Sequence, residues 1–425
     1  MRILIVLPDQ PLPFGMAAAR WYHVLVQGLT ARGHDLKVFI VCEGPMPADV
    51  AATIRLNWDD RIEHYPPTHR VGPLGKLRSW RRPFEYRYHR ALKYDLKRAM
   101  AEGYDVLHLE QTWSAYAAPA DAPRSLVHVH HLWSIDAPGR SRVSLRDRLI
   151  RRSAIRVERE LLGRFGRITA LTPRLAAEIG RINPSAIVDT IPMALDLSLY
   201  PFDADGPIGQ PPTVALIGSF DWAPTLSAAR RLALRLWPEI VHRVPGARLR
   251  LVGRWADRAL ADLPSRSDIT IHADVPEIIP EFRRADVLLY APGPASGMKV
   301  KVLEAFALGT PVVTNADGVE GIAAVDGVHA GIAGDDGGLV DRAVSLLRDG
   351  DARRGMRREA RRLVESTCDP SSALDRLEAV YRSIVEEAKS AGEVVGLLPR
   401  RIQEPDPNPL SDYPEGGPDW PRGRA

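Results

Sequence analysis

The sequence predicts an α/β protein of two facing, doubly wound Rossmann-like domains with an interdomain cleft. Three observations carry that expectation. Short β-branched runs alternate with helical periods along most of the chain, the pattern of parallel sheets built from crossovers. Two such series occur, parted by "YPFDADGPIGQPP", Tyr200 to Pro212. A length of 425 residues suits two cores better than one.

The first series opens with "RILIVLP", the helical "MAAARWYHVLVQGLTARGH" and "DLKVFIVCEG", and continues through "DVLHLE", "SLVHVHH" and "RITALT". Its apolar start from Ile3 to Leu7 is stopped by Pro8 and Asp9, so it reads as a buried first strand and not as an export signal. The second series runs through "PTVALIGSF", "ARLRLVGR", "DITIHADV", "ADVLLYAP" and "TPVVTN". From Ser371 to Lys389, Leu374, Leu377, Val380, Tyr381 and Ile384 recur at helix spacing. The expected organisation is an acceptor-binding domain over 1–200 and a donor-binding domain over 212–370. A helix over 371–390 packs back on the body, and a disordered tail fills 391–425, where a Pro-rich polar composition cannot offset its ordering entropy.

Composition is that of a soluble globular protein, with 45% hydrophobic and 26% charged residues and a formal net charge of +4. The balance is too mild to call for nucleic acid. Cys42 and Cys368 lie far apart and lack metal-ligand spacing, which suits a reduced, cytoplasmic protein. No apolar run approaches the ~20 residues that span a bilayer.

The chemistry is expected where strands end and helices begin. "ADVLLYA" reads as a buried strand, "PGPASG" as a loop and "MKVKVLEAFAL" as a helix closed by Gly309. Lys299 and Lys301 fall at the start of that helix, where cations oppose the macrodipole by about 0.3–1 kcal/mol each when exposed. A pocket for a multiply charged anion accounts for them. Glu304, one turn deeper, suits a vicinal diol, and anion plus diol describes a nucleoside diphosphate. The plainer alternative is that both lysines reach into solvent and Glu304 pairs with Lys301. Gly15, Gly218, Ser219, Gly253 and Arg254 each follow a strand, adding small or basic groups at the same edge.

"GMKVKVLEAFALGTPVVTNADGVEGI" resembles the nucleotide-sugar signature of the family 4 glycosyltransferases, retaining enzymes of the GT-B fold. "GSFDWAPTLSAARRLALRLWPEIVHRVPGARLRLVGR" is similar to the opening of the C-terminal half in a bacterial branch of that family, and weaker echoes extend the resemblance over about Met1 to Arg382. It implies that Glu304, as the second Glu of the family's E-x7-E motif, holds the donor ribose. Lys299, Lys301 and Arg254 face the diphosphate, and the loop Ala273 to Val275 meets the base. Ser296, Gly297 and Met298 belong to the donor loop, with Gly318, Val319 and Glu320 at the sugar end. His130 contacts the transferred sugar from the N-terminal half. Ser296 stands where the family usually has its first Glu. "GSFDWAPT", with Asp221, replaces the usual Arg and Lys diphosphate clamp.

In "HVHH", alternation turns His128 and His130 one way and His131 the other. No carboxylate or Cys is legible at metal spacing beside them, so no metal and no cofactor is expected, the nucleotide sugar being a substrate. From Arg70 to Arg98 the chain is rich in Lys and Arg, with Trp80, Phe84, Tyr86, Tyr88 and Tyr94 interleaved. A second basic run spans Arg140 to Arg167. Both readings of 70–98 stand here: a peripheral contact with the inner face of an anionic membrane, or a solvated helix with its aromatics turned inward.

The expected activity is metal-independent transfer of a sugar with retention. The acceptor is a carbohydrate, a lipid-linked glycan or a small molecule in envelope, polysaccharide or secondary-metabolite synthesis. Lys299, Lys301 and helix N–H groups stabilise the departing diphosphate, while His130 orients the sugar. Two rivals share these residues. A sugar-nucleotide epimerase of the same architecture needs carboxylates near His130, and none is legible. A non-catalytic nucleotide-sugar-binding subunit differs by having no turnover of its own.

Overall fold

A computed structural model describes residues 1–42, 62–68, 72–120, 122–136, 145–207 and 211–392. The expected disordered tail lies outside the described residues from 393 onward, as do parts of the linker and of the second basic run.

Continuous apolar runs with no polar alternation need cover on both faces, and parallel sheets under helices supply it. The N-terminal strands are β1 Arg2–Leu7, β2 Asp35–Val41, β3 Ile62–Tyr65, β4 Val106–Glu110, β5 Ser125–Val129, β6 Arg167–Ala170 and β7 Ile187–Thr190. They form one sheet in the order β3-β2-β1-β4-β5-β6-β7. The second sheet holds β8 Thr213–Ile217, β9 Arg248–Gly253, β10 Ile269–Ala273, β11 Val287–Tyr290, β12 Val312–Thr314 and β13 Gly331–Ile332, ordered β10-β9-β8-β11-β12-β13. Every pairing between these strands is parallel.

In both sheets the chain winds outward one way and then returns to the middle to wind the other. The reversals fall between β1 and β4 and between β8 and β11. Loops leaving neighbouring strands there diverge to opposite faces, and the gap between them is where such sheets bind ligands.

The longer helices are α1 Ala17–Ala31, α2 Gly72–Arg81, α3 Arg90–Ala101, α4 Leu145–Leu162, α5 Pro173–Ile182, α6 Ala223–Arg231, α7 Trp237–Arg243, α8 Val300–Leu308, α9 Asp336–Arg348, α10 Gly350–Thr367 and α11 Pro370–Ser390. Helix α8 is apolar nearly all round and correspondingly buried, and Gly309 ends it in the left-handed conformation (φ 82°). It begins two residues later than "MKVKVLEAFAL" suggests, because Met298 and Lys299 belong to the loop. Helix α11 returns to the N-terminal sheet, where Arg32 Nη1 and His34 Nε2 meet Glu378 at 3.1 and 2.7 Å.

Candidate functional site

The expected donor side, in the C-terminal half, is built around close approaches of main chain. Gly218 (φ 155°) follows β8 and Gly253 (φ 137°) ends β9, and a Cβ on Gly253 would overlap the Gly218 carbonyl. Glycine at both positions lets the β8 loop fold against its neighbour and leaves room for Lys301. A Cβ on Gly218 would stand 2.8 Å from Lys301 Nζ. That ammonium donates to Thr225 Oγ1 at 2.6 Å and lies 4.1 Å from the centroid of the Tyr290 ring. No carboxylate among the described residues bridges it. Burial, with Lys299 as a like-charged neighbour, pushes its pKa down to about 7.

Lys299 occupies the residue just before α8, whose start no side chain caps. Its Nζ turns back on its own loop, donating to the carbonyls of Gly297, of Ala295 (3.3 Å) and of Ser296 (3.4 Å). Glu320 Oε2 lies 4.0 Å away. Burial lowers this lysine's pKa too, opposed by Glu320.

Glu304 is not the partner of either lysine. Arg20 of α1 is its salt bridge, and Tyr200 Oη donates to its Oε1 at 3.3 Å. The expected diol acceptor therefore sits against a guanidinium from the opposite domain. Arg254 is exposed and tied to Asp221 Oδ2 (2.6 Å) and Ser219 Oγ (3.1 Å), so its charge is balanced. Val275 lies past edge strand β10, two strands out from β8, and Gly15 (φ 84°) stands on a loop where a Cβ would meet nothing within 4 Å beyond its chain neighbours. Gly318 packs so tightly on Thr314 that a Cβ there would overlap the Thr314 hydroxyl, while Val319 is buried beside it.

The two domains meet over the donor loop. Ser296 N and Oγ both donate to Asp136 Oδ1, at 2.6 and 2.7 Å, and Ser296 Oγ accepts from Leu132 N at 2.9 Å. Gly297 (φ 82°) lies directly on the His130 carbonyl, which a Cβ would overlap. Met298 Sδ accepts from Met193 N at 3.2 Å. Glu320 accepts from Thr172 Oγ1 (2.9 Å) and Arg174 Nη1 (3.2 Å). Thr172 doubles as the cap of α5, accepting from Leu175 N at 3.2 Å, so this contact stands on a fixed helix start.

Behind His130 the structure corrects the sequence reading that no carboxylate stands near the histidines. Strands β4 and β5 pair in a register that sets Glu110 opposite His128. Glu110, His128 and His130 offer ligand atoms all within 4.8 Å of one another. The donor set is only partly engaged, since the buried His128 Nε2 has no hydrogen-bond partner. Glu110 Oε2 lies 2.6 Å from His130 Nε2, while Oε1 accepts from Trp21 Nε1 at 2.9 Å and has His108 Nε2 at 3.0 Å. His128 Nδ1 bonds Thr169 Oγ1 at 2.7 Å, and its pKa is pushed down to about 3 by burial. Glu110 is fully buried behind the His130 ring and presents no surface to a substrate.

Two family descriptions match the chain. "Glycosyltransferase Family 4" matches residues 18–199, and "Glycosyl transferases group 1" matches residues 211–349. Between them they take in well over half of the sequence. The chain belongs to the family 4, group 1 glycosyltransferases.

Solved structures give the same architecture. Sucrose-phosphate synthase from Thermosynechococcus elongatus superposes with a TM-score of 0.69 at 16% identity, covering 91% of this chain and 100% of that one. Anabaena Alr3699/HepE in complex with UDP-glucose gives 0.62 at 14% identity, with 91% and 99% covered. A variant of S. aureus TarM in complex with fondaparinux, alpha-GlcNAc-glycerol and UDP gives 0.64 at 9% identity, with 89% and 99% covered. At such identities the likeness establishes the GT-B fold. No curated protein matches the sequence.

For this glycosyltransferase, sequence reasoning missed the N-terminal half of the crevice: Arg20, Glu110, Asp136, Thr172 and Arg174. Only Glu110 left a trace, as the third member of an alternating "HLE" facing an alternating "HVH".

The uncompensated lysine has a measurable cost. A lysine in the unfolded chain titrates near 10.4, well above Lys301 in the fold, so between these values the unfolded chain binds more protons and native stability rises with pH. Lys301→Met is expected to stabilise the protein by about 2 kcal/mol at pH 6, well under the full shift because relaxation of the surroundings relieves part of the burial, with most of the gain gone by about pH 11. Urea unfolding at both pH values checks this. An equal gain at both would show that charge is not the cause.

Proposed function

We propose that this glycosyltransferase takes its sugar from a nucleoside diphosphate donor held by the C-terminal half and delivers it, with retention and without a metal ion, to an acceptor held by the N-terminal half. The observation that carries this reading is Lys301, a buried ammonium with no carboxylate, placed where β8 and β11 part. A β-phosphate there supplies the missing anion and restores the lysine's proton affinity. As the bond from the sugar's anomeric carbon to the diphosphate oxygen breaks, negative charge grows on the leaving group, and Lys301 is the cation to receive it, with Lys299 adding its charge from within its own loop.

Glu304 suits the ribose once Arg20 swings away or bridges to the phosphates. Asp136 brings a carboxylate onto Ser296, where the family resemblance leads one to look for Glu, so the sugar-facing acid comes from the other domain. His130 stands at the same corner through Gly297. The UDP complex of HepE makes uridine nucleotides the natural first probes.

The N-terminal half also carries a surface suited to an anionic membrane, which favours a lipid-linked acceptor taken at the inner face. Helix α2 buries none of its residues: Leu74, Leu77 and Trp80 are 81, 51 and 44% exposed beside the exposed Arg78 and Arg81. Helix α4 lies against it, with Arg156 Nη2 donating to the Arg81 carbonyl at 2.7 Å and Leu149 45% exposed. Of the aromatics in this run, Tyr88 is buried and Phe84 packs on Trp113 (4.7 Å between ring centroids), while Trp80 and Tyr94 stay outside. No described helix is long and apolar enough to cross a membrane.

Two outcomes test these readings. Lys299→Ala combined with Lys301→Ala is expected to weaken UDP binding by at least about a hundredfold in calorimetry, with the far-UV circular dichroism unchanged. Unaltered affinity refutes the donor assignment. In flotation, the protein is expected to rise with phosphatidylglycerol-containing vesicles and not with pure phosphatidylcholine, and Leu74→Glu with Trp80→Glu is expected to abolish this. Failure to float with either vesicle removes the membrane contact.

A further inference from the structure

Two features stand outside the donor site: the exposed apolar and basic face of α2 and α4, and the polar chain behind His130. The second is carried furthest by geometry alone. We propose that Glu110 is a positioning residue that fixes the ring of His130 as its Nε2–H tautomer, and that Tyr381 on α11 sets the direction of this chain through His108. This rests on the reading of His130 as the residue facing the donor sugar.

The order of protons follows from groups whose role is not open. Trp21 Nε1–H can only donate, so Glu110 Oε1, 2.9 Å away, accepts. At the far end, Tyr381 Oη bonds His108 Nδ1. Burial in an apolar setting, with the charge of Glu110 nearby, keeps the tyrosine protonated, so its O–H donates and His108 Nδ1 accepts. A neutral His108 then carries its proton on Nε2, which faces Glu110 Oε1 at 3.0 Å. Trp21 donates to Oε1 in line, while the His108 N–H lies close to it without the alignment of a hydrogen bond, and both call for a carboxylate there. The remaining oxygen, Oε2, has His130 Nε2 at 2.6 Å, which completes the set as a third donor. Glu110 is held well below the usual carboxylate range, because the histidines and their hydrogen bonds outweigh a burial that by itself raises it.

What this does to His130 is specific. With Nε2–H committed to Glu110, Nδ1 of the neutral ring is left as an acceptor, the atom able to take a hydrogen bond from a sugar hydroxyl. The chain is closed to solvent except at that end. His108, Glu110, His128 and Tyr381 are 0% exposed and His130 is 7% exposed, with its carbonyl under Gly297 of the donor loop. Ring orientation is set as well as protonation, since the Tyr22 ring packs 5.9 Å from that of His130 and the His128 ring 5.0 Å. A merely structural cluster would hold helix α11 to the sheet without caring which nitrogen of His130 bears the proton.

The test reads that nitrogen directly. The full-length protein, labelled with 15N at histidine, is examined by long-range 1H–15N correlation, and the His130 signals are assigned by their loss in His130→Ala. The proposal expects the Nε2–H pattern in the unsubstituted protein, and an Nδ1–H pattern there overturns it whatever the variants do. Glu110→Gln is expected to convert His130 to Nδ1–H or a mixture. With UDP-glucose as probe donor it should lower kcat for donor cleavage roughly tenfold to a hundredfold while KM changes less than threefold. Tyr381→Phe, which removes one hydroxyl and keeps the packing, is expected to perturb the His108 tautomer and lower kcat by a smaller factor. Unchanged tautomers and unchanged kcat in both variants overturn the proposal. If instead His130→Ala itself turns over donor normally, the sugar-facing role of His130 falls, while the tautomer data still decide what Glu110 does.

Discussion

A positive charge held away from water without its opposite organises this molecule. Lys301 lies between a tyrosine ring and a threonine hydroxyl, in space that exists because Gly218 carries no side chain and Gly253 allows the neighbouring strand's end to press in. Isolated burial of an ammonium is unfavourable, and the protein tolerates it where the topology of its second sheet opens a crevice. Lys299 is handled differently, wrapped by carbonyls of its own loop and faced by Glu320. One lysine is solvated by the protein and the other waits for a partner.

The opposite domain answers each feature of the donor side with a complementary group. Arg20 meets Glu304, Asp136 meets Ser296, Thr172 and Arg174 meet Glu320, and the His130 main chain meets Gly297. These contacts close the corner where a donor sugar would be exposed to water, and they do so with polar groups that a substrate's hydroxyls and phosphates are able to replace. The family relationship supplies the reaction type, and these pairings join the two halves around the crevice.

How much of this the sequence shows depends on the range of the interaction. The doubly wound sheets were readable because strands such as "RILIVL" and "VALI" are buried on both faces and so lack polar alternation. The lysine pair was readable because its charge opposes a helix dipole, a local anomaly visible within ten residues. Glu110 was not, since its partnership with His130 depends on the pairing register of β4 and β5, which a buried parallel strand does not encode locally. Arg20, Asp136 and Arg174 were invisible for a related reason: nothing in their surroundings along the chain distinguishes them from ordinary surface charges until the second domain arrives. The pairing of Glu304 with Lys301, a natural guess from helix spacing, lost to Arg20.

The way the chain passes between its halves has a mechanical consequence. It crosses once through the segment after Tyr200 and returns once between α10 and α11. The two passages are fastened side by side, with Leu195 N donating to the Cys368 carbonyl at 3.2 Å and Arg361 holding the carbonyls of Tyr200 and Ala307 at 2.9 and 2.6 Å. Two adjacent tethers define a line, and bodies joined along a line keep one easy degree of freedom, rotation about it, while sliding and twisting strain the fastenings. Motion of one half against the other is therefore easiest as a door's swing about those fastenings.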